Sequence, residues 1–479
     1  MRPRPRPLKA GVTTASALSL LLLSCSQPGT VVGLGSEPLT MPNGITLHFN
    51  HRDSSRSRHP LTGEWRNGDD LEQALIAQIE SAEQELLVAV QELSLPAIAD
   101  ALVQASKNGV KVHVVLENTY STPWTELHPT DLPAHGRQRL HQLKTLADRN
   151  RDGTLSAEER LRGDAVAILR RGSVPTIDDT EDGSRGSGLM HHKFMVVDRR
   201  RVITGSANFT SSGLHGDAGA PQTRGNVNHL LSIDSAELAA VFREEFEQMW
   251  GDGPSGQKDS RFGRGKESRA LQTVHHDDIR IDVLFPPHSP KDADHGLNLI
   301  GRTLDTAQQT IDMALFVFSA QSLTNVLAQR HDAGVAIRLL ADPGFASRSF
   351  SEVLDLLGLA LPDRFCKLEA GNQPLATPIK GIGSPRLARG DKLHHKFAVI
   401  DNKTVITGSF NWSPSAAHTN DETLLVIHSP KLAAHFTREM NRLWRGAELG
   451  INARIRKKLE RQRAKCGSGE QRPAISSAS

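Results

Sequence analysis

Two short stretches of the chain carry the same chemistry. His191-His192-Lys193 opens an apolar run that closes on Asp198, and His394-His395-Lys396 opens another that closes on Asp401. Each is followed by a Gly-Ser-x-Asn turn, with Ser206 and Asn208 in the first copy and Ser409 and Asn411 in the second. The runs Phe-Met-Val-Val and Phe-Ala-Val-Ile are strand-like, and on a strand residues i and i+2 point to one face. His191 and Lys193 are therefore predicted to share a face, as are His394 and Lys396, with His192 and His395 on the opposite face. An imidazole beside an ammonium suits a phosphate: the cation holds the oxyanion while the imidazole attacks or donates a proton. Two such half-sites meeting at a pseudo-two-fold interface put a histidine on either side of one phosphorus. One attacks in line and the other protonates the leaving oxygen. Cationic side chains neutralise the phosphate, so this chemistry calls for no metal.

The elements that must position these residues also come in pairs. Residues 79–118 and 304–343 share a pattern, with Ala82 matching Ala307 and Gly109-Val110 matching Gly334-Val335, both at an offset of 225. Each stretch reads helix, apolar strand, helix, Gly turn, strand. Val88–Val90 and Ala314–Phe318 are candidates for buried strands, and strand–helix–strand with short turns implies parallel neighbours in an α/β sheet. The two histidine motifs are offset by 203, so the first half holds 22 extra residues between the landmarks. A unit of some 200 residues is a duplicated domain and not a solenoid. The expected architecture is α/β: two homologous mixed-sheet domains, 44–250 and 278–446, with flanking helices around one shared site. The polar, Gly-rich stretch 251–277 reads as an exposed linker, and 447–479 as a basic tail.

The paired motifs resemble the signature of the phospholipase D superfamily, His-x-Lys-x4-Asp followed by Gly-Ser-x-Asn. Both copies match in residue type and spacing, and the resemblance covers about Gly44 to Trp444. It implies a covalent phosphohistidine intermediate, with His191 as the nucleophile and His394 as general acid and then base. Lys193, Lys396, Asn208 and Asn411 would bind the phosphate, with Ser206 and Ser409 in support. Asp198 and Asp401, grouped with the catalytic set, would be structural or electrostatic partners. The family often places an acid after each Gly-Ser-x-Asn turn to orient a histidine. The second half has Glu422 there and the first half has Asn228. An amide does not stabilise an imidazolium as a carboxylate does, so unequal basicity of the two histidines is expected, with the assignment of roles left open.

The extra residues of the first half hold a second pattern. Asp148, Asn150 and Asp152 are followed by Gly153, Thr154, Ser156 and Glu159. This resembles an EF-hand loop: side chains at positions 1, 3 and 5, a sharp glycine turn at 6, a backbone carbonyl at 7, a water-mediated ligand at 9 and a bidentate Glu at 12. Leu140, Leu143 and Leu146 enter it at helical spacing, and Gly163 ends a short exiting helix. A single hand binding Ca2+ in a structural or affinity role is expected. The acidic stretch 173–189, just before His191, reads as a solvated loop that screens the site entrance against polyanions.

Composition narrows the rest. The 479 residues allow two to four domains. Residues 1–24 carry +4 and residues 451–465 carry +6, so the total of +3 leaves −7 for residues 25–450. A body-wide basic field for gripping nucleic acid is not supported. Four cations precede an apolar run that ends in Leu22-Leu23-Ser24-Cys25, shorter than a membrane span. It reads as a signal peptide and resembles a bacterial lipobox with Cys25 lipidated, followed by a tether, 26–43. The expected location is periplasmic or membrane-anchored. Export makes Cys366 and Cys466 disulfide-competent, with two free thiols the simpler reading. Ile451, Ile455 and Leu459 share a face of a short basic helix suited to anionic lipid or nucleic acid. The leading expectation is hydrolysis of phospholipid to phosphatidic acid at a membrane surface, ahead of a secreted endonuclease. A catalytically silent, calcium-dependent surface binding protein and phosphatidyl transfer stand behind both.

Overall fold

The structure, a computed structural model, describes residues 38–467 apart from positions 61, 187, 218, 221 and 255. The expected leader, Cys25, most of the tether and the end of the tail lie outside the described residues. The first half supplies β1 (Ile45–Phe49), a separate hairpin of β2 (Arg56–Arg58) and β3 (Trp65–Asn67), β4 (Glu85–Val90), β5 (Lys111–Leu116), β6 (Thr176–Asp178), β7 (Lys193–Val197), β8 (Arg201–Gly205) and β9 (His229–Asp234). The second supplies β10 (Gln272–His276), β11 (Ile279–Leu284), β12 (Thr310–Leu315), β13 (Ala336–Ala341), β14 (Ile382–Ser384), β15 (Lys396–Ile400), β16 (Thr404–Gly408), β17 (Leu424–His428) and β18 (Glu448–Leu449).

The first sheet runs β1-β9-β8-β7-β4-β5-β6 and the second β10-β11-β17-β16-β15-β12-β13-β14-β18. Remove the edge strands β10 and β18 and the two orders correspond strand for strand. The predicted strand–helix–strand units are parallel pairs, β4 with β5 and β12 with β13, while β7 and β15 run antiparallel beside them. The α/β reading with two mixed sheets and flanking helices therefore holds. β12 ends at Leu315, so Phe316–Phe318 lie beyond the strand that was expected to include them.

All six residues of β4 and all five of β7 and β15 are buried, because both faces of each sheet are covered. Helices Leu71–Glu80 and Pro96–Lys107 close the outer face of the first sheet, and Gly296–Asp305 and Gln321–Asp332 that of the second. The inner faces share one apolar core. Phe194, Phe242 and Phe246 of the first half belong to the same cluster as Phe285, Phe397 and Phe436 of the second. From Leu39 onward the chain is one unit.

Four expectations change. Segment 251–277 is not an exposed linker throughout: Phe262 and Val274 are buried in the shared core, the Lys266 side chain is buried, and the segment ends in β10. Its few apolar residues lack a period because each is placed separately. Residues 173–189 are not simply a solvated loop either, since they contain β6 with Ile177 buried, and the buried Asp179 accepts the Asn118 N–H at 2.8 Å. In the tail, helix Ala453–Cys466 forms with Ile455 buried and Leu459 packed beside it, but Ile451 precedes the helix and is exposed. Cys366 and Cys466 are joined in a disulfide, where free thiols were the simpler expectation.

Asp198 and Asp401 sit at the far end of β7 and β15 from the histidines. Asp198 accepts the backbone N–H groups of Glu83, Gln84 and Glu85 at 2.7–2.9 Å, and Asp401 those of Gln308, Gln309 and Thr310 at 2.8 Å. Each caps the start of the neighbouring strand, so they belong to the scaffold and not to the catalytic group. Asp401→Ala is expected to lower stability by about 2 kcal/mol, since three partly exposed charge-assisted bonds are lost. Urea unfolding measures this, and turnover per folded molecule is expected to stay near wild type.

Candidate active site

Backbone contacts between the halves bring the motifs together. Met190 bridges Asp421, and the His191 N–H donates to the Asp421 carbonyl at 2.9 Å. Val227 bridges Leu393, and the His394 N–H donates to the Val227 carbonyl at 3.1 Å. These links align each histidine with the residue after the opposite half's turn. His191 Nδ1 lies 2.8 Å from Glu422 Oε2, and His394 Nδ1 lies 3.0 Å from Asn228 Oδ1 and 3.0 Å from the Ser206 carbonyl. Every acceptor around the two Nδ1 atoms is an oxygen without a proton to give when Glu422 is ionised. The ring nitrogens therefore donate from Nδ1 and keep a lone pair on Nε2.

The serines support this arrangement. Ser409 Oγ donates to Glu422 Oε2 at 2.5 Å, and Ser206 Oγ donates to Asn228 Oδ1 at 2.7 Å. The glycine before each serine permits it. A Cβ on Gly205 would stand 2.2 Å from the His229 carbonyl, and one on Gly408 would stand 2.2 Å from the Thr423 carbonyl. Asn420 Nδ2 gives Glu422 a further bond at 3.2 Å.

Lys193 and Lys396 lie buried next to the histidines, and each Nζ reaches back to the carbonyl of its own His191 or His394 at 2.6–2.7 Å. Beyond that the halves differ. Lys193 Nζ is 3.4 Å from Gln91 Oε1, which also accepts from Asn208 Nδ2 at 3.2 Å. Lys396 Nζ lies over the Phe316 ring at 5.1 Å, and that ring is 4.6 Å from the His394 ring. Gln91 and Phe316 occupy the same place in the repeat, 225 residues apart. Sequence reasoning passed over both. The signal was present in the place where the two copies diverge at the end of a shared strand.

His192 and His395 form a second layer, on the face away from the site as expected. His192 bonds Thr423 Oγ1 at 2.9 Å and Glu245 at 3.2 Å; His395 bonds His229 Nδ1 at 3.0 Å and Glu439 at 3.1 Å. Glu245 is neutralised by Lys266, which also pairs with Asp421 at 2.7 Å, and Glu439 by Arg442. These acids lie on helices Ala236–Trp250 and Pro430–Trp444, beyond any local motif.

Burial sets the charges. It holds His191 and His394 well below the ordinary imidazole range, with the nearby Lys193 and Lys396 acting in the same direction. Lys193 is brought down to about 7 by burial, against the pull of Glu422. Glu422 is pushed up to about 7 by burial, against Lys193, Ser409 and Asn420. The resting site thus keeps neutral imidazoles and couples one carboxyl to one ammonium near neutrality.

The calcium-loop candidates sit apart from this group. Gly153 makes the turn at φ +81°, Asp148 Oδ2 accepts its N–H at 3.0 Å, and Asn150 and Asp152 are hydrogen-bonded to each other. Asp152 Oδ1 accepts the Thr154 N–H, and Asp148 Oδ1 is buried without a partner. Glu159 does not face the loop centre alone: its oxygens accept the N–H groups of Arg149, Asn150 and Ser156 and the Ser156 hydroxyl. Among the described residues no three His, Cys, Asp or Glu side chains gather closely enough for a metal cluster. The entering helix, Ala134–Ala147, lines a cavity of about 220 Å³ with Glu92 and Tyr120, and its Arg139 pairs with Glu92 at 2.7 Å.

The family model described as "Cardiolipin synthase, PLD-like domain" matches residues 75–250 and 300–444. The mitochondrial cardiolipin hydrolase of Chlamydomonas reinhardtii is 27% identical over 157 residues, 33% of this chain and 59% of that one. A phospholipase D of Rickettsia bellii is 30% identical over 134 residues, 28% of this chain and 56% of that one. The chain thus spans somewhat over half the length of these curated relatives. The fold is similar to that of phosphatidylserine synthase from Haemophilus influenzae, with a TM-score of 0.53 at 13% identity, covering 89% of this chain and 94% of the other.

The paired titrations give a testable profile. With Glu422 needed as carboxylate and Lys193 as ammonium, kcat/KM for a phosphodiester is expected to be bell-shaped with its top near pH 7. The acid limb is expected to vanish in Glu422→Gln, with activity lowered by ~10²-fold or more, and the alkaline limb to remain.

Proposed function

Because this chain belongs to the phospholipase D-like family, we propose that it is a phosphodiesterase that hydrolyses phospholipids to phosphatidic acid through a phosphohistidine. The observation that carries this reading is the crossed pairing of His191 with Glu422 and of His394 with Asn228. His191 is the nucleophile. A carboxylate behind an imidazole raises its basicity and stabilises the cationic ring that a phosphoryl group on Nε2 creates. His394, backed by a neutral amide and a carbonyl, is the weaker base and hence the better acid.

In the first step His394 takes up a proton together with the entering phosphodiester anion, His191 Nε2 bonds to phosphorus, the bond to the headgroup oxygen breaks, and His394 gives that oxygen the proton. In the second, His394 takes a proton from water, the hydroxyl bonds to phosphorus, and the P–N bond breaks to return His191. Lys193, Lys396, Asn208 and Asn411 hold the non-bridging oxygens. Asn208 and Asn411 would do so through their Nδ2 donors; Asn208 Nδ2 donates to Gln91 Oε1 at 3.2 Å and has a second N–H to give.

We also assign a Ca2+ ion to the loop, held by Asp148, Asn150, Asp152, the Thr154 carbonyl, Ser156 and Glu159. The unpartnered Asp148 oxygen and the oxygen-rich donor set suit a hard cation. The ion would cross-link the loop that ends helix Ala134–Ala147. It takes no part in the phosphoryl chemistry. The disulfide between Cys366 and Cys466 supports the export reading, since such bonds persist in oxidising compartments.

Phosphatidylcholine, cardiolipin and single-stranded DNA, each with calcium and with chelator, separate the activities. Wild type is expected to release phosphatidic acid, and His191→Asn to lose turnover by at least ~10³-fold. With a 4-nitrophenyl phosphodiester, whose leaving group needs no proton, His394→Asn is expected to trap the phosphoryl adduct on His191, visible by mass spectrometry. DNA cleavage without lipid turnover would move the protein to the nuclease branch. Calcium is expected to raise the Tm of wild type and leave that of Asp148→Ala unchanged; equal response of the two would remove the ion from this loop.

A further inference from the structure

Helix Ala453–Cys466 carries seven cations and one acid, on a chain whose body from 25 to 450 is net acidic. Its inner side is fastened to the second half. Ile455 is buried, Lys458 Nζ donates to the Ser347 carbonyl at 2.5 Å, Gln462 Nε2 donates to the Asp363 carbonyl at 3.2 Å, and Cys466 is bonded to Cys366. Its outer side presents Arg454, Arg456, Lys457, Arg461 and Arg463, all exposed, and among the described residues none of them pairs with a carboxylate. Holding this row of like charges together is unfavourable unless an opposite charge meets it.

The loop beneath the helix adds the apolar part. Phe365 is 65% exposed and Phe350 is 41% exposed, and Arg364 lies against the Phe365 ring at 4.6 Å. Large exposed aromatics beside unpaired cations suit a surface that is anionic at its skin and apolar just below. The same loop leads to the active site. Phe345 packs on Phe316 at 4.6 Å, and Phe316 packs on the catalytic His394.

We infer that helix 453–466 and the exposed parts of segment 345–367 on either side of helix Glu352–Leu356, clasped by the Cys366–Cys466 bond, form a docking face for an anionic lipid bilayer that sets the active-site mouth against the membrane. This rests on the phospholipid reading for its purpose, but the face binds lipid whether or not turnover follows. Charge complementarity selects an anionic partner, and Phe350 and Phe365 select one with an apolar layer over one that is only a polyanion.

Sedimentation of the whole protein with vesicles tests this, using phosphatidylcholine alone and an equimolar mixture with phosphatidylglycerol. Wild type is expected to pellet with the anionic vesicles only, and less as salt rises. The triple variant Arg456→Glu, Lys457→Glu, Arg461→Glu is expected to bind at least ~10-fold more weakly. Phe365→Ser is expected to bind several-fold more weakly at every salt concentration. Both variants are expected to hydrolyse bis(4-nitrophenyl) phosphate at the wild-type rate, which certifies their fold. His191→Asn is expected to bind vesicles as wild type does while losing turnover, so loss of the catalytic reading and loss of the docking face read out separately. Equal binding of wild type to neutral and anionic vesicles, undiminished binding by the triple variant, or tighter binding to a single-stranded oligonucleotide than to anionic vesicles overturns the inference.

Discussion

Each histidine of this site is held by the half of the molecule to which it does not belong. Backbone bonds from His191 to Asp421 and from His394 to Val227 lock the two halves in register, and the side-chain bonds to Glu422 and Asn228 follow from that register. A shift of one residue at either crossing would turn the backing group to the other face. The site therefore requires both sheets, the shared apolar core that presses them together, and the second-layer acids on the two inner helices. Neither half alone presents a complete histidine.

That dependence explains the cost the protein bears in its interior. Three lysine, five histidine and four carboxylate side chains of this region are buried, and burying charge is unfavourable unless it is paired. Lys266 neutralises Glu245 and Asp421, and Arg442 neutralises Glu439, so the second layer is paired internally. The first layer is left only partly paired. Lys396 has an aromatic ring where Lys193 has an amide oxygen, and both ammonium groups lie below their ordinary range. On the proposed phosphodiesterase reading, a phosphate entering between them would supply the missing countercharge, and substrate binding would relieve what folding leaves unmet.

Much of this was legible in the residues themselves. Period and spacing were enough for the duplication, the parallel strand pairs and the shared face of His191 and Lys193, because each is local or repeats, while the contrast between Glu422 and Asn228 came through the resemblance to the phospholipase D signature. The partners that come from remote elements were not. Nothing near His192 announces Glu245, and nothing near Cys366 announces Cys466, a hundred residues away. Segment 251–277 looked exposed since isolated residues such as Phe262 and Lys266 find single pockets without forming a pattern. Asp198 and Asp401 lie inside the motif by spacing, yet their side chains turn to the strand starts and serve the scaffold.

The two copies have diverged unevenly, and the pattern has a physical reason. The aspartate strand caps and the glycines that let Ser206 and Ser409 approach are the same in both halves, because the sheet makes the same demand twice. Three differences fall at the site itself: Asn228 against Glu422, His229 against Thr423, and Gln91 against Phe316. A phosphodiester in cleavage has no two-fold symmetry, since one side receives a nucleophile and the other releases a protonated alcohol. Two identical imidazoles would share one basicity and compromise between the roles. In the proposed reaction a carboxylate behind one ring and an amide behind the other would separate them, at the cost of two side chains and with the symmetric scaffold left intact.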